Sequence, residues 1–438
     1  DARLGCYGGE PPCLFATSWY EENMKLDDIE KAMLDGKHGR AAAWAIGFQK
    51  DVGTFFDAED FVPIRLVHVS TDRETMGDSG IAFIEELGNL RPSERYPRAY
   101  ATADFRGFDK ENFSFLLPGR NLEVQGTQAV EALGKLGVVT NHAYVNDHSV
   151  TAPGFGEACG YSGTPSVIYM NSIVGARCNF EAGPSSLAAF FTGRVPRYGF
   201  HLKAKRFATH GFKLNFSPAN IVDWGVIGAL IGRELNSYWC VPALELTGPP
   251  PSVLELNHMA LAMASYGSTA MFHVVNVTPE APDWETAAGG KKLDVKTINF
   301  NHVKAFYQEW GGIGDELDVV ALSTPQLTVT EIIEVAALLE GKRVHDRTAL
   351  LIYAPEEIKQ ACARIGLTQI IERAGARMVH GHDFFATFAK EIRLAHKWDR
   401  LMTHSVKMVN ICEGYGYRPT PASIQRCIQS AIEGKVIG

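Results

Sequence analysis

The sequence has no paired cysteines, no long apolar run and no cluster of basic residues, and each absence argues against a class of function. The eight cysteines are dispersed, so the Cys-x-x-Cys pair of zinc ribbons and thioredoxin-like sites is missing. The longest apolar stretches, such as residues 221–231, are interrupted by Asp223 and are too short to span a bilayer. A net charge of −8 without Lys/Arg-rich runs argues against nucleic-acid binding.

The short motifs of common enzyme classes are also missing. There is no P-loop, no Gly-x-Gly-x-x-Gly fingerprint after a predicted strand, no His-Glu-x-x-His and no Gly-x-Ser-x-Gly. No generic motif therefore decides the function, and the candidate residues have to be found from their positions on predicted strands and helices.

The composition is that of a large globular protein. Its 438 residues predict several structural domains, and a hydrophobic content of 46% with 21% charged residues supplies a large core. Dispersed cysteines in a chain of this size are typical of a reducing compartment, which predicts a cytoplasmic protein. We expect a small-molecule substrate, with neither nucleic acid nor membrane as a partner.

The spacing of apolar residues predicts an α/β fold. The last third alternates strands and helices over residues 317–322, 329–339, 348–353, 356–374 and 376–380. This alternation is typical of a parallel sheet flanked by helices. Upstream, residues 88–115 are predicted to be loop and residues 166–170 a short strand. The predicted divisions are an irregular arm, an α/β region, a connecting α/β segment and a C-terminal α/β domain, at residues 1–24, 25–248, 249–314 and 315–438.

One polar segment follows a predicted strand and leads into a helix that begins near Ser185. It carries Asn171, Ser172, Arg177 and Asn179. Backbone N–H groups at the start of a helix, with Arg177 nearby, are suited to holding a carboxylate or a phosphate of a substrate. A capped loop with a structural Arg–Glu pair is the alternative interpretation.

Two further pairs of residues are candidates for chemistry. His68 and Ser70 lie at the end of a predicted strand, from which side chains reach a central cleft. Ser405 and Lys407 are two residues apart, which in a strand places both side chains on one face. A lysine beside a serine serves as an anion clamp, or as a base if burial lowers its pKa. Structural or solvated roles are the alternatives for both pairs.

The histidines form the last candidate group. His142 and His148 flank a Gly-rich loop, and His380, His382 and Asp383 follow a predicted strand. Histidine and aspartate at a strand end are potential metal ligands, although this spacing is not a strong metal signature.

Six segments, taken in order, resemble the aconitase X family. They read LDDIEKAMLDG, HVSTDRETMGDSG, NSIVGARCNFEAGPSSLAAFFTGRVPRYGFHL, MFHVVNVTPEA, LDVVALSTPQ and HSVK, at residues 26–36, 68–80, 171–202, 271–281, 317–326 and 404–407. The resemblance implies an aconitase-like, multi-domain α/β architecture with parallel or mixed sheets flanked by helices. It also implies a hydro-lyase whose members dehydrate cis-3-hydroxy-L-proline or mevalonate 5-phosphate with an iron–sulfur cluster on three cysteines. The family uses a small swivelling domain, fused or separate, that no segment here resembles.

The chain departs from the family at the cluster ligands. The positions that match the three cysteines are Asn141 or Ala143, Thr324 and Asp383. Iron–sulfur clusters need soft thiolate ligands, which these residues do not supply. The family's substrate-side residues are retained at His68, Ser70, Asn171, Ser172, Arg177, Ser405 and Lys407. Asn179, Thr324 and His142 complete the predicted substrate-binding set.

Three hypotheses follow. The first is a cluster-free, cofactor-free lyase or isomerase on an aconitase X-like scaffold, which catalyses a cyclisation or pericyclic, Diels–Alder-type step on a specialised metabolite. The second is a genuine dehydratase of a hydroxy acid such as cis-3-hydroxy-L-proline, with a mononuclear Zn or Fe ion on His142, His380, His382 and Asp383. The third is a non-catalytic relative or partner subunit. Assembly as a homo-oligomer or with a small swivelling subunit stays open.

Overall fold

Short apolar strands and amphipathic helices alternate along the chain and build three successive α/β units. The computed structural model describes residues 24–71, 73–104, 109, 111–118, 123–140 and 152–438. Each unit contains one parallel sheet, of three, four and five strands in chain order, and the first unit adds a two-stranded antiparallel ribbon. The predicted α/β class with helix-flanked sheets is confirmed. None of the helices among these residues is long and apolar enough to cross a membrane.

The first unit places its central strand between two parallel neighbours, in the order β3-β2-β4, while β1 pairs with β5. The strands β1 to β5 are Phe61–Pro63, Leu66–Ser70, Tyr100–Asp104, Gly160–Tyr161 and Arg194–Pro196. The helices are Asp28–Leu34, Arg40–Phe55, Arg73–Asn89, Phe113–Leu116, Glu123–Leu136, Thr164–Tyr169 and Gly183–Thr192. The helix Gly183–Thr192 is almost entirely buried against β2 and the helix Arg40–Phe55, and forms the core of this unit.

Two local predictions in the first unit are wrong. Residues 88–115 contain strand β3, whose buried residues Ala101, Thr102 and Ala103 are small and therefore gave little apolar signal. The expected strand at residues 166–170 is a helix that begins after Gly163, with a proline in its first turn, and continues into a π-helical turn, Met170–Val174.

The second unit has the strand order β8-β7-β6-β9. The strands β6 to β9 are His210–Leu214, Pro242–Glu245, His273–Val274 and Val295–Ile298, and the helices are Ile221–Leu235, Val253–Gly267, Trp284–Ala288 and Phe300–Glu309. The helices Ile221–Leu235 and Val253–Gly267 can approach each other very closely because residue 228 is a glycine. A methyl group at Gly228 would collide with the carbonyl of Met259. The sheet draws its strands from both sides of the predicted division at residues 248 and 249, so it does not follow that division.

The third unit has the strand order β12-β11-β10-β13-β14. The strands β10 to β14 are Val319–Leu322, Ala349–Tyr353, Arg377–Val379, Arg400–Thr403 and Arg418–Pro421. The helices are Val329–Leu339, Glu356–Arg364, Leu367–Arg373, Ala389–His396, Val406–Gly414 and Ile424–Glu433. From β10 the chain builds outwards to β12, then returns to the other side of β10 as β13. The carboxyl ends of β10 and β13 therefore flank a topological switch point, where open α/β sheets form their binding crevice.

Candidate active site at the switch point of the third unit

The turns after β10 and β12 are tied together at the switch point. The Nε2 group of Gln326 donates to the carbonyl of Gly381 at 2.7 Å. The backbone N–H of Phe384 donates to Oγ of Ser323 at 3.1 Å, and the same hydroxyl lies 3.4 Å from Oδ1 of Asp383. These contacts bring Thr324 and Asp383, two of the positions that match cluster cysteines in the family, into one buried polar site.

Asp383 is the most unusual residue of this site. Its side chain is completely buried, and its Oδ2 atom has no hydrogen-bond partner among the described residues. Burial raises the pKa of the carboxyl group, although the nearby His382 and Lys407 and the hydroxyls of Thr324 and Ser323 oppose the shift. A carboxyl group in these surroundings can hold a proton and deliver it to a bound molecule.

Ser405 and Lys407 lie at the start of a helix and not in a strand, so the expected one-face arrangement of their side chains is wrong. Oγ of Ser405 accepts from the N–H of Met408 at 3.2 Å and caps the helix Val406–Gly414. Lys407 is buried in the first helical turn, with Nζ 5.0 Å from the centre of the Phe385 ring. A cation is disfavoured at a helix N-terminus, so Lys407 would gain from a nearby anion.

Ser70 is the last residue of β2 in the first unit and His68 is the middle residue of that strand, and both are buried. Nδ1 of His68 lies 2.9 Å from Oγ1 of Thr102 on the neighbouring strand. Oγ of Ser162 donates to the carbonyl of His68 at 2.7 Å and accepts from the N–H of Ser70. Ser70 lies at the strand end as the sequence predicted, whereas His68 lies two residues before it, and the catalytic role of the two residues stays a prediction.

Asn171 belongs to a buried network in which its side chain forms hydrogen bonds with backbone groups. Its Nδ2 group donates to the carbonyls of Cys178 and Ala270 at 2.8 and 3.0 Å, and its Oδ1 atom accepts from the Cys178 N–H and from Nη1 of Arg206, each at 3.0 Å. Every donor and acceptor of this amide is used, so a structural role explains the residue.

The neighbouring polar side chains Ser172 and Asn179 are used in the same way. Oγ of Ser172 accepts from the N–H of Phe272 at 2.9 Å. Oδ1 of Asn179 accepts from the N–H of Phe200, and its Nδ2 group donates to the carbonyl of Tyr198. The predicted substrate-binding role of these residues remains untested.

Arg177 lines a separate cavity of about 330 Å³ that is shared by the first and second units. Lys203, Arg206, His273 and Glu280 also line it, and none of Thr324, Asp383 or Lys407 does. Nη1 of Arg177 approaches the carbonyl of His201 at 3.5 Å. The residues of the switch point therefore do not line the cavity that Arg177 lines, although the sequence predicted one site for all of them.

The histidine set predicted for a metal is not brought together among the described residues. His142 lies outside them. Nε2 of His380 lies 3.2 Å from Oδ1 of Asp109 and its Nδ1 lies 2.8 Å from Oε2 of Glu356, while Nδ1 of His382 accepts from the N–H of Asp383. In the described part of the chain, a different trio of potential ligands converges: His258, Glu331 and His404, with ligand atoms within 4.8 Å of one another.

This trio was missed because its members come from three distant segments. His404 belongs to the HSVK segment, and Glu331 forms a capping box with Thr328, but no spacing along the chain links them to His258. Only the packing of the helix Val253–Gly267 against the third unit brings the three side chains together.

The described residues at the matched positions do not fit an iron–sulfur cluster. Thr324 and Asp383 offer oxygen atoms where thiolates are needed, and Asn141 and Ala143 lie outside the described residues. The six described cysteines are unpaired thiols located elsewhere, for example Cys412 in the apolar core of the third unit.

Comparisons with known proteins cover nearly the whole chain. Three family models match, described as the Aconitase X first, second and third domains, at residues 23–204, 208–308 and 317–433. The phosphomevalonate dehydratase large subunit of Methanocaldococcus jannaschii is 28% identical, over 81% of this chain and 88% of that protein. The cis-3-hydroxy-L-proline dehydratase of Pseudomonas aeruginosa is 27% identical, over 99% of this chain and 75% of that protein.

A solved structure gives the same answer for the fold. The crystal structure of Thermococcus kodakaraensis aconitase X in its holo form matches with a TM-score of 0.82 at 26% identity, over 93% of this chain and 100% of that one. The three matched domains coincide with the three α/β units, and the predicted resemblance is confirmed. The chain belongs to the aconitase X family.

Proposed function

We propose that this protein is a hydro-lyase that removes water from a small anionic hydroxy compound, with Asp383 as the proton donor to the departing hydroxyl. The relatives named above are dehydratases of a phosphorylated hydroxy acid and of a hydroxylated amino acid. The observation that carries the proposal is the buried carboxyl group of Asp383, which lies beside the charge of Lys407 and which the sequence resemblance matches to a cluster position.

The chemistry explains why a carboxyl group fits there. Dehydration breaks a C–H and a C–O bond on adjacent carbons and forms C=C: a base takes the proton from carbon, and hydroxide, which is a poor leaving group, departs from the other carbon. A Lewis acid can accept the hydroxide, or an acid can protonate it so that water leaves. A protonated Asp383 would supply the second route. Lys407 would hold the anionic group of the substrate and stabilise the negative charge that develops when the carbon loses its proton.

The cyclisation hypothesis has only the missing thiolates in its favour. Thr324 and Asp383 are compatible with either reaction, whereas the relatives named above are both dehydratases. Dehydration without a cluster is therefore the function we propose, in place of a pericyclic step.

We also propose that the protein acts together with a small subunit. The phosphomevalonate dehydratase relatives are named large subunits, and the chain spans 88% of the relative from Methanocaldococcus jannaschii. Size-exclusion chromatography with light scattering, on protein isolated from its source, should give a mass above 48.0 kDa that includes a second, smaller chain. A monomer or a pure homo-oligomer would contradict this assembly.

The catalytic proposal is tested with Asp383→Asn. Dehydration of cis-3-hydroxy-L-proline and mevalonate 5-phosphate is followed by mass spectrometry, and we expect kcat to fall about 100-fold or more on the substrate that the wild type accepts, because the amide cannot protonate the hydroxyl. Asp223→Asn is the matched control. Asp223 is a buried carboxylate whose oxygens accept from Tyr307 and from the Ala219 N–H, both at 2.8 Å.

The control variant should keep its kcat, which separates the loss of a proton donor from the general loss of a buried carboxylate. Equal rates for Asp383→Asn and the wild type would contradict the assignment. If neither compound loses water and a polyene substrate undergoes ring closure instead, the dehydratase proposal is wrong and cyclisation is the function.

A further inference from the structure

Three buried side chains from two units meet where the second unit packs on the third. His258 comes from the helix Val253–Gly267, Glu331 from the helix Val329–Leu339, and His404 from the turn after β13. Their ligand atoms lie within 4.8 Å of one another, and the two imidazole rings have centroids 5.2 Å apart. None of the three side chains is more than 6% exposed. The trio therefore forms a closed site between two units.

The polar atoms that face one another in this site are unpaired among the described residues. Nε2 of His258, both ring nitrogens of His404 and Oε1 of Glu331 have no hydrogen-bond partner. The second oxygen of Glu331 accepts from the N–H and Oγ1 of Thr328, each at 2.9 Å, which fixes the carboxyl group and leaves Oε1 for another partner. Buried polar atoms are nearly always satisfied, so several unpaired atoms in one place indicate a bound partner.

The protonation states suit a cation. Burial lowers the pKa of His404 to about 4 and the pKa of His258 well below its ordinary range, which favours neutral imidazole, the form that binds metals. Burial raises the pKa of Glu331, and a cation beside Oε1 would favour its carboxylate.

We propose that His258, Glu331 and His404 bind one divalent transition-metal ion of the Zn²⁺ or Fe²⁺ class. Two imidazoles and one carboxylate are a donor set that such ions prefer. The ion would join the helix Val253–Gly267 to the turn after β13. That turn leads directly into Ser405 and Lys407, so the ion would hold the turn, and with it these two residues, in place. The site uses none of the histidines predicted from the sequence, and it is independent of Asp383.

Metal content and cobalt spectroscopy test this site. The full-length protein is freed of metal with a chelator and titrated with Zn²⁺ or Co²⁺ alone. We expect one tightly held ion per chain, visible ligand-field bands for Co²⁺, and a Tm that rises by several degrees with Zn²⁺. His258→Gln, Glu331→Gln and His404→Gln should each weaken binding by about tenfold or more and lose the Co²⁺ bands.

His201→Gln is the matched control. His201 is also fully buried, with both ring nitrogens unpaired among the described residues, but it belongs to no such trio. This variant should keep the ion and its spectrum. Asp383→Asn should also keep the ion, so a failure of the catalytic proposal and a failure of this one are distinguishable.

Glu331→Gln distinguishes a loss of metal binding from a folding defect, because glutamine preserves the shape of the side chain and the capping of its helix. The metal-free forms of this variant and of the wild type should melt at similar temperatures, while Zn²⁺ should raise the Tm of the wild type alone. The proposal is overturned if no ion binds stoichiometrically, if the three variants retain the ion, or if Zn²⁺ stabilises Glu331→Gln as much as the wild type.

Discussion

The network around Asn171 and Arg206 and the trio of His258, Glu331 and His404 are both buried and polar, but they use their polar atoms differently. Arg206 donates to the carbonyls of Asn171, Phe200 and Ala176, to Oδ1 of Asn171 and to the carboxylate of Glu280. The trio leaves four atoms without a partner among the described residues. The first arrangement is complete in itself and stabilises the fold, whereas the second presents unpaired atoms that a ligand would satisfy. We therefore expect a substitution in the network around Arg206 to lower the free energy of unfolding strongly, and a substitution in the trio to change it little in metal-free protein.

The largest effect is expected from Arg206→Met in the complete network. Arg206 is fully buried, and its removal leaves Glu280 and several carbonyls without their partner. Breaking such a pair costs about 3–5 kcal/mol of unfolding free energy, measured by urea denaturation. Lys213→Ala is the control, because its ion pair with Glu245 is half exposed and contributes about 1 kcal/mol at most. Equal losses for the two variants would contradict the structural role of the network.

An intermediate, pH-dependent effect is expected from Glu181→Gln. Burial raises the pKa of Glu181 to about 7, although Ser185 opposes the shift. The folded protein holds this proton more tightly than the unfolded chain, so stability is lost as the pH rises from about 4.3 to about 7. At pH 8 the glutamine variant should be more stable than the wild type by about 1–3 kcal/mol, and at pH 4 the two should be equal.

The measurement is urea denaturation of both proteins at the two pH values. A gain that is the same at pH 4 and pH 8 would show that the glutamine acts through packing and not through the proton. A loss at pH 8 would show that the carboxylate has a partner that stabilises its charge.

The smallest effect is expected from Glu331→Gln in metal-free protein. Because Oε1 of Glu331 has no partner to lose and Thr328 still caps the helix with the glutamine, the free energy of unfolding should change by about 1 kcal/mol or less. Urea denaturation after chelation measures it. A loss as large as that of Arg206→Met would mean that the trio is a complete network like the one around Asn171.

The third unit could be predicted from the sequence because its local signals agree with each other. Strands β10 and β11 are continuous apolar runs, and Thr328 and Glu331 form a capping box that marks the start of a helix. In the first unit, β3 has small residues on its buried face, and the short apolar run at residues 166–170 fits a strand or a helix equally well. At residues 166–170, Gly163 before the first turn and the proline within it favour the helix.

The candidate site could be predicted only in part. The resemblance drew attention to Thr324, Asp383, Ser405 and Lys407. The switch point explains why the turns after β10 and β13 meet, whereas Asp383 follows the edge strand β12 and is joined to them by the hydrogen bonds of Gln326 and Ser323. Asn171 and its neighbours were indistinguishable from substrate ligands in the sequence, because a side chain that binds backbone and one that binds substrate are the same residue type. The trio could not be predicted at all, since contacts between units leave no periodic signal along the chain.

The most direct test of the central claim is the rate of dehydration by the purified wild type and by Asp383→Asn, with acid-labile sulfide measured in the same samples. We expect an active wild type without acid-labile sulfide, and a kcat about 100-fold lower or more in the variant. Stoichiometric sulfide in the active protein, or a variant as fast as the wild type, would contradict it.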